Sequence, residues 1–189
     1  MGPIAVPMTY VGRVGWVSQL VVSIDARKRY IATSLLQMLK KRPLFCDITA
    51  IGLVSSHPSA CHALSKYTSM VFLPLNVILA DSIRCSALNI HSVDLKFCQL
   101  NAKFILEASP IEYVQKMMLC GSLFEDNCTT GAVSSVFTNF YVDHEEPLEV
   151  LAAYRTRGQW VLGDLDGHEY LIILPVHQSV TSPVNDVFH

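Results

Sequence analysis

The sequence predicts a layered domain of mixed α and β structure, of α/β or α+β class. Three observations carry that expectation. Hydrophobic residues make up 51% of the 189 residues and charged residues only 16%, so the chain collapses rather than staying disordered. The apolar pattern alternates along the chain between β-branched runs and helical spacing. The first elements read strand–helix–strand–helix with short connections, which calls for a parallel strand pair joined by a right-handed crossover. The length suits one domain, 1–189, and a core that needs neither disulfides nor metals.

Val14 to Ile24 (VGWVSQLVVSI) is rich in β-branched residues and is expected to be a strand, central in its sheet because both faces are apolar. Residues 27 to 41 change to helical spacing, with Ile31, Leu35, Leu36 and Leu39 on one face. Lys40, Lys41 and Arg42 suit the C-terminal end of that helix, and Pro43 stops it. Ile48 to Val54 is a second strand. Ser55-Ser56-His57-Pro58 is a capping turn with Pro near the first helical position, and 59 to 67 continue as a short helix. Residues 70 to 80 form a third strand candidate, weakened by Pro74. Helices are expected at 94 to 108 and 110 to 120, a strand at Val133 to Val142, and a helix from Glu145 to Thr156. The end, GQWVLGDLDGHEYLIILPV, is expected to form a hairpin turning at Asp166-Gly167, followed by a loose tail from His177.

Several function classes drop out. With 14 basic and 16 acidic residues the net charge is -2, which offers no basic field for nucleic acid. The cleanest apolar stretch, Tyr67 to Ala80, has 14 residues and contains Pro74. A spanning helix needs about 20, so this stretch is expected in the core and no membrane partner is expected. The start lacks a charged region ahead of an apolar one, and Val6 stands where myristoylation favours Ser or Thr; the expected location is cytoplasmic. Six cysteines without a CxxC are expected to be buried thiols in a reducing compartment. No metal site is expected: His57 and His62 are too far apart in sequence to share a helix face, and Asp164-Leu165-Asp166-Gly167 is followed by Ile173 where a calcium loop needs Glu. Asp143-His144-Glu145-Glu146 either holds a general base or supplies acids to a helix start. No GxSxG motif exists for a hydrolase.

The chemistry concentrates at Leu20 to Ala32, LVVSIDARKRYIA. Here a strand should end and a helix begin with Arg27, Lys28 and Arg29. Cations at a helix N-terminus oppose its dipole, by about 0.3–1 kcal/mol each when exposed. Three in a row is a local conflict of the kind found at functional sites. An anion on the free N–H groups resolves it, which points to a phosphate-bearing ligand at 27 to 32. The alternative is a solvated basic patch.

The order of these residues resembles the GCN5-related N-acetyltransferases, whose acyl-CoA motif runs Leu-x-Val, a few residues, then Gln/Arg-x-x-Gly-x-Gly/Ala opening a helix. This chain offers Leu20-Val21-Val22, then Arg27-Lys28-Arg29-Tyr30-Ile31-Ala32, then Leu35-Leu36. Its Ser55-Ser56-His57-Pro58-Ser59-Ala60 follows the next strand, where the family has Asn-x-x-Ala-x-x-x-Tyr, with His57 in place of Asn. Ala108 to Val114, Gly121 to Phe124, Val142 to His144 and Gly167 to Leu171 resemble the C-terminal region of one subgroup.

The resemblance implies a mixed, mostly antiparallel sheet with one splayed parallel pair and flanking helices. Residues 1–80 would be the acyl-CoA-binding core, and 81–189 the C-terminal helices, strands and hairpin. It implies acetyl transfer from acetyl-CoA to a small-molecule or peptide amine. Leu20, Val21 and Val22 would lie along pantetheine, while Arg27, Lys28, Arg29, Tyr30, Ile31 and Ala32 would surround pyrophosphate. His57 would lie near the thioester, as a base or as a donor to its carbonyl. The family's tyrosine acid falls at Leu64, leaving Tyr67, one turn on, as its substitute. Tyr30 stands at the central Gly, where the backbone approaches phosphate closely. The elements that precede the motif in the family have no counterpart in the few residues before Val14. An exposed strand edge, and a homodimer through it, are therefore expected. A truncated or degenerate module that binds CoA or a partner without catalysis is the alternative function.

Overall fold

The run Tyr170 to Leu174 is apolar at every position because both its faces are covered. Tyr170, Ile172 and Leu174 enter one buried cluster and Leu171 and Ile173 enter another, as the two-residue period of a strand requires. The computed structural model describes residues 10, 12–69, 90, 93, 95–139, 143–165 and 167–176. In chain order the elements are β1 (Arg13–Val17), a 3-10 turn (Ile24–Ala26), α1 (Ile31–Lys40), a 3-10 turn (Pro43–Phe45), β2 (Ile48–Ser55), α2 (Pro58–Ser69), α3 (Leu95–Glu107), α4 (Glu112–Gln115), β3 (Met118–Cys120), β4 (Ser135–Phe137), α5 (Glu145–Thr156) and β5 (Glu169–Pro175).

The strands form one five-stranded sheet in the order β1-β2-β5-β4-β3. The β1–β2 pair is parallel, and the other three pairs are antiparallel. This is the expected mixed sheet with one parallel pair. On one face Leu36 of α1 and Ala60, Cys61, Leu64 and Tyr67 of α2 pack against Ile51 and Leu53 of β2. On the other, Cys98, Ala102, Ile105 and Leu106 of α3 and Val114 of α4 pack against Ala50 and Leu171. Gly52 lies opposite Trp16 across the parallel pair. A Cβ on Gly52 would sit 2.0 Å from the Trp16 ring, so the indole covers this stretch of β2 only because no side chain stands there.

Several expectations need correction. The first strand ends at Val17, not Ile24, and lies at the sheet edge among the described residues. Beyond Val17 the chain folds back on itself. The Val22 carbonyl accepts from Arg27 Nε at 3.1 Å, and the Ala26 N–H donates to the Ser23 carbonyl at 2.9 Å. These local bonds take the place of a ladder. The first helix starts at Ile31 rather than 27, because Lys28 and Tyr30 have left-handed backbone, φ 60° and 58°. Residues 110 to 120 do not form one helix. After the single turn of α4 the chain extends into β3, pairs with β4, and leaves through Gly121 at φ 101°. The strand expected over Val133 to Val142 is confined to Ser135–Phe137 among the described residues. The expected C-terminal hairpin does not form. β5 inserts between β2 and β4, and the preceding stretch makes one isolated bridge, Ala132 with Gly163. Of the cysteines expected to be buried, Cys61 and Cys98 are, Cys120 and Cys128 are half-buried, Cys46 is exposed, and Cys85 lies outside the described residues. The strand candidate at 70 to 80, Asp166 and the tail from His177 lie outside the described residues. Among the described residues no helix is long and apolar enough to cross a membrane.

Candidate functional site

Parallel pairing brings the C-terminal ends of β1 and β2 to one side of the sheet, and α1 and α2 both begin on that side. The loop before α1, the turn before α2 and the start of α5 meet there.

Tyr30 is the N-cap of α1, with φ 58° and ψ 17°, and no side chain caps the helix. The Ser34 N–H closes the first turn on the Tyr30 carbonyl at 2.9 Å. No acidic residue lies in that turn, so neither a cap nor a local carboxylate answers the helix dipole. The Tyr30 side chain is 72% exposed, and Lys66 Nζ stands 5.5 Å from its ring centroid. Lys28 and Arg29 are exposed and make none of the ion pairs among the described residues. Ile31 and Ala32 are half-buried, and Ala32 packs against the core.

Arg27 is differently placed. Its Nε holds the Val22 carbonyl, and its Nη1 pairs with Glu146 Oε1 in the first turn of α5. The same carboxylate oxygen stands 3.6 Å from His57 Nε2. His57 begins the turn into α2. Its N–H donates to Ser55 Oγ at 3.1 Å, and its Nδ1 accepts from the Ser59 N–H at 3.1 Å. A nitrogen that accepts from an amide carries no proton, so the neutral ring bears its hydrogen on Nε2. Burial, then the Arg27 charge, lowers the His57 pKa below its ordinary value, and the start of a helix acts in the same direction. At pH 7 the neutral ring presents a hydrogen-bond donor at Nε2, while Nδ1 is engaged by the Ser59 amide.

Tyr67 lies elsewhere. It is fully buried in the core with Leu36 and Leu64, and its hydroxyl has no hydrogen-bond partner among the described residues. Burial pushes its pKa up, and Lys40 Nζ lies 5.4 Å from its ring centroid. Ten residues of helical rise separate it from His57 by about 15 Å along α2. The two candidate catalytic residues are therefore not brought together. Of the residues expected along pantetheine, Leu20 packs at the edge of the core and Val21 is 82% exposed, while the Val22 carbonyl is occupied by Arg27.

Glu146 is the member of the site that the motif argument did not single out. Its signal was the acidic run at 143 to 146, but nothing local showed that α5 would deliver it to Arg27 and His57. Deeper along α2, His62 stacks on Tyr154 with ring centroids 5.3 Å apart, and burial followed by the Lys66 charge lowers its pKa to about 4. Cys61 is fully buried and its thiol pKa is pushed up, so it is no nucleophile. Among the described residues no group of three or more His, Cys, Asp or Glu could hold a metal ion. No family model, curated protein or solved structure matches the chain.

Proposed function

We propose that this protein is an acyl-CoA-dependent N-acetyltransferase that passes an acetyl group from acetyl-CoA to an amine by direct attack. One observation carries the reading. An uncapped helix opened by a left-handed residue, with cations before it, stands beside a neutral histidine donor at one end of a parallel strand pair. The left-handed φ falls at Tyr30, where the family resemblance has Gly. That coincidence supports the resemblance independently of the residue types.

The donor set suits a pyrophosphate. The first-turn amides of α1 point out of the helix start, and Lys28 and Arg29 add charge. Acetyl-CoA supplies the acyl group as a reactive thioester. His57 Nε2–H can donate to a carbonyl oxygen, favouring the charge that develops there when an amine attacks. Most of the enzyme's contribution is orientation of the two reactants.

A second reading is a module that binds CoA or a partner without catalysis. It is favoured by Tyr67, whose buried hydroxyl lies far from His57 and so cannot cap a leaving thiolate there. The first reading and the CoA-binding form of the second share the ligand and differ in turnover.

The test is the thermal midpoint with and without acetyl-CoA. At about 100 times its dissociation constant a ligand stabilises by about 2.7 kcal/mol, a rise of about 5–10 °C for a chain of this size. The double variant Lys28→Glu/Arg29→Glu should abolish the rise while keeping the unliganded midpoint, since neither side chain braces the fold. A cooperative melt indifferent to acetyl-CoA sinks the first reading and the CoA-binding form of the second. A rise without acetyl transfer to a panel of amines selects the second.

A further inference from the structure

Residues 26–46 hold six of the chain's 14 basic residues and none of its 16 acidic ones. The remaining eight basic and 16 acidic residues leave the rest of the chain at -8, so the net charge of -2 hides a segment of +6. Within it Arg27 pairs with Glu146 and Lys40 donates to the Tyr67 carbonyl, while Lys28, Arg29, Lys41 and Arg42 are exposed. The same stretch is apolar on its outside. Of the ten large hydrophobic residues exposed among the described residues, six lie between 21 and 44: Val21, Ile24, Tyr30, Leu35, Met38 and Leu44. We propose that the outer face of α1 docks on an anionic membrane surface, with Leu35 and Met38 entering the headgroup boundary and Lys41 and Arg42 meeting the lipid phosphates and carboxylates.

The helix has two apolar sides. Leu36 and Leu39 pack on the core, and Gln37 and Lys40 reach the Lys66 and Tyr67 carbonyls of α2. With 3.6 residues per turn, Ile31, Leu35 and Met38 share a second stripe, turned away from α2. Leu35 is 48% and Met38 57% exposed, and Lys41 and Arg42 follow at the end of the stripe. Soluble surfaces seldom leave contiguous apolar patches uncovered. An aliphatic stripe edged by cations suits a helix lying in the plane of a lipid interface, where acyl chains receive the apolar side chains and anionic headgroups the cations. Nucleic acid matches the charge but gains little from Leu35 and Met38, since its bases stack on aromatic rings. An acidic protein also matches the charge, but a protein partner's anchors seek well-packed pockets, and this stripe runs along one helix face. Such docking needs no spanning helix, so the expectation of no membrane partner, drawn from span length, does not bear on it. It is also independent of the acetyl-CoA reading, which uses the amides and cations before the helix rather than its outer face.

The experiment is cosedimentation of the full chain with phosphatidylcholine vesicles, with and without phosphatidylserine, across a range of salt. The wild type should bind the phosphatidylserine vesicles, ignore phosphatidylcholine alone, and lose affinity as salt rises. Arg42→Gln should weaken binding about fivefold, the effect of one cation near such a surface. Leu35→Ser/Met38→Ser should weaken it about tenfold or more and keep the thermal midpoint, because neither side chain belongs to the buried core. Should that double variant melt non-cooperatively, Arg42→Gln and the wild-type lipid and salt dependence decide. Absence of binding to phosphatidylserine vesicles at low salt overturns the proposal. So does equal binding to both vesicles, or binding that both variants leave intact. Retention on polyglutamate without vesicle binding would assign the face to an acidic protein instead. A dimer that Leu35→Ser/Met38→Ser dissociates, without vesicle binding, would assign it to a second copy of the chain. Either result overturns the proposal.

Discussion

His57 Nδ1 accepts the Ser59 N–H at 3.1 Å, and this contact fixes what His57 can do. It places the hydrogen on Nε2 and makes protonation of the ring compete with a helix cap. The ring nitrogen shifts of His57 should report the Nε2–H tautomer at pH 7, with a titration midpoint below 6.5, since burial and Arg27 both oppose the charged form. A midpoint at or above 6.5 would mean that burial and Arg27 do not hold the ring neutral. His57→Ala removes the acceptor of the Ser59 amide and should lower stability by about 1 kcal/mol, as loss of a helix cap does.

Tyr30 holds φ 58° without the freedom of glycine. A left-handed conformation costs a side-chain-bearing residue about 1–2 kcal/mol, offset in part by the larger backbone entropy that glycine loses on folding. Tyr30→Gly should therefore raise stability by roughly 0.5–1 kcal/mol, measured by denaturant midpoint at constant slope. Under the proposed function it should also tighten binding of coenzyme A by opening the loop amides. A lower midpoint would mean that the contact of Lys66 with the Tyr30 ring outweighs the backbone strain.

Gly52 faces the opposite constraint, because its neighbour is a ring rather than a conformation. The Trp16 indole would lie 2.0 Å from an added Cβ. Gly52→Ala must push the indole off β2 and should cost about 1–3 kcal/mol, the range for overpacking. Trp16 fluorescence should shift to the red as the ring gains solvent. An unchanged spectrum with an unchanged midpoint would show that β1 slides to accommodate the methyl.

The sequence disclosed those parts of the fold whose signals are local. β2, α2, α3 and α5 fall where apolar spacing and capping residues put them, with Pro147 in the first turn of α5. It misled wherever pairing decided the outcome. Leu20-Val21-Val22 has strand-forming side chains but no ladder partner among the described residues, and Arg27 captures the Val22 carbonyl. β3 follows α4 because β4 is there to receive it, which no local pattern announces. At the site the cations at 27 to 29 and the capping turn at His57 were legible. The Arg27–Glu146–His57 cluster was not, since it joins segments that only the packing of α5 on α2 brings together.

His62 gives the fold a pH dependence with a definite sign. In the unfolded chain it takes a proton near pH 6.5, but in the fold only near 4, because burial and Lys66 oppose the charge. Between those values the unfolded state binds more protons than the native one. Stability is then complete above 6.5 and declines as the pH falls toward 4. One such group changes stability by at most about 1.4 kcal/mol per pH unit. His57, lowered by burial and Arg27, acts in the same direction below pH 6.5. The melting midpoint should therefore drop steadily from pH 7 to pH 4. His62→Gln, which cannot titrate, should remove up to one proton from that dependence. A slope identical in His62→Gln and wild type would assign the acid sensitivity to other groups, and would mean that the ring against Tyr154 accepts its proton in place.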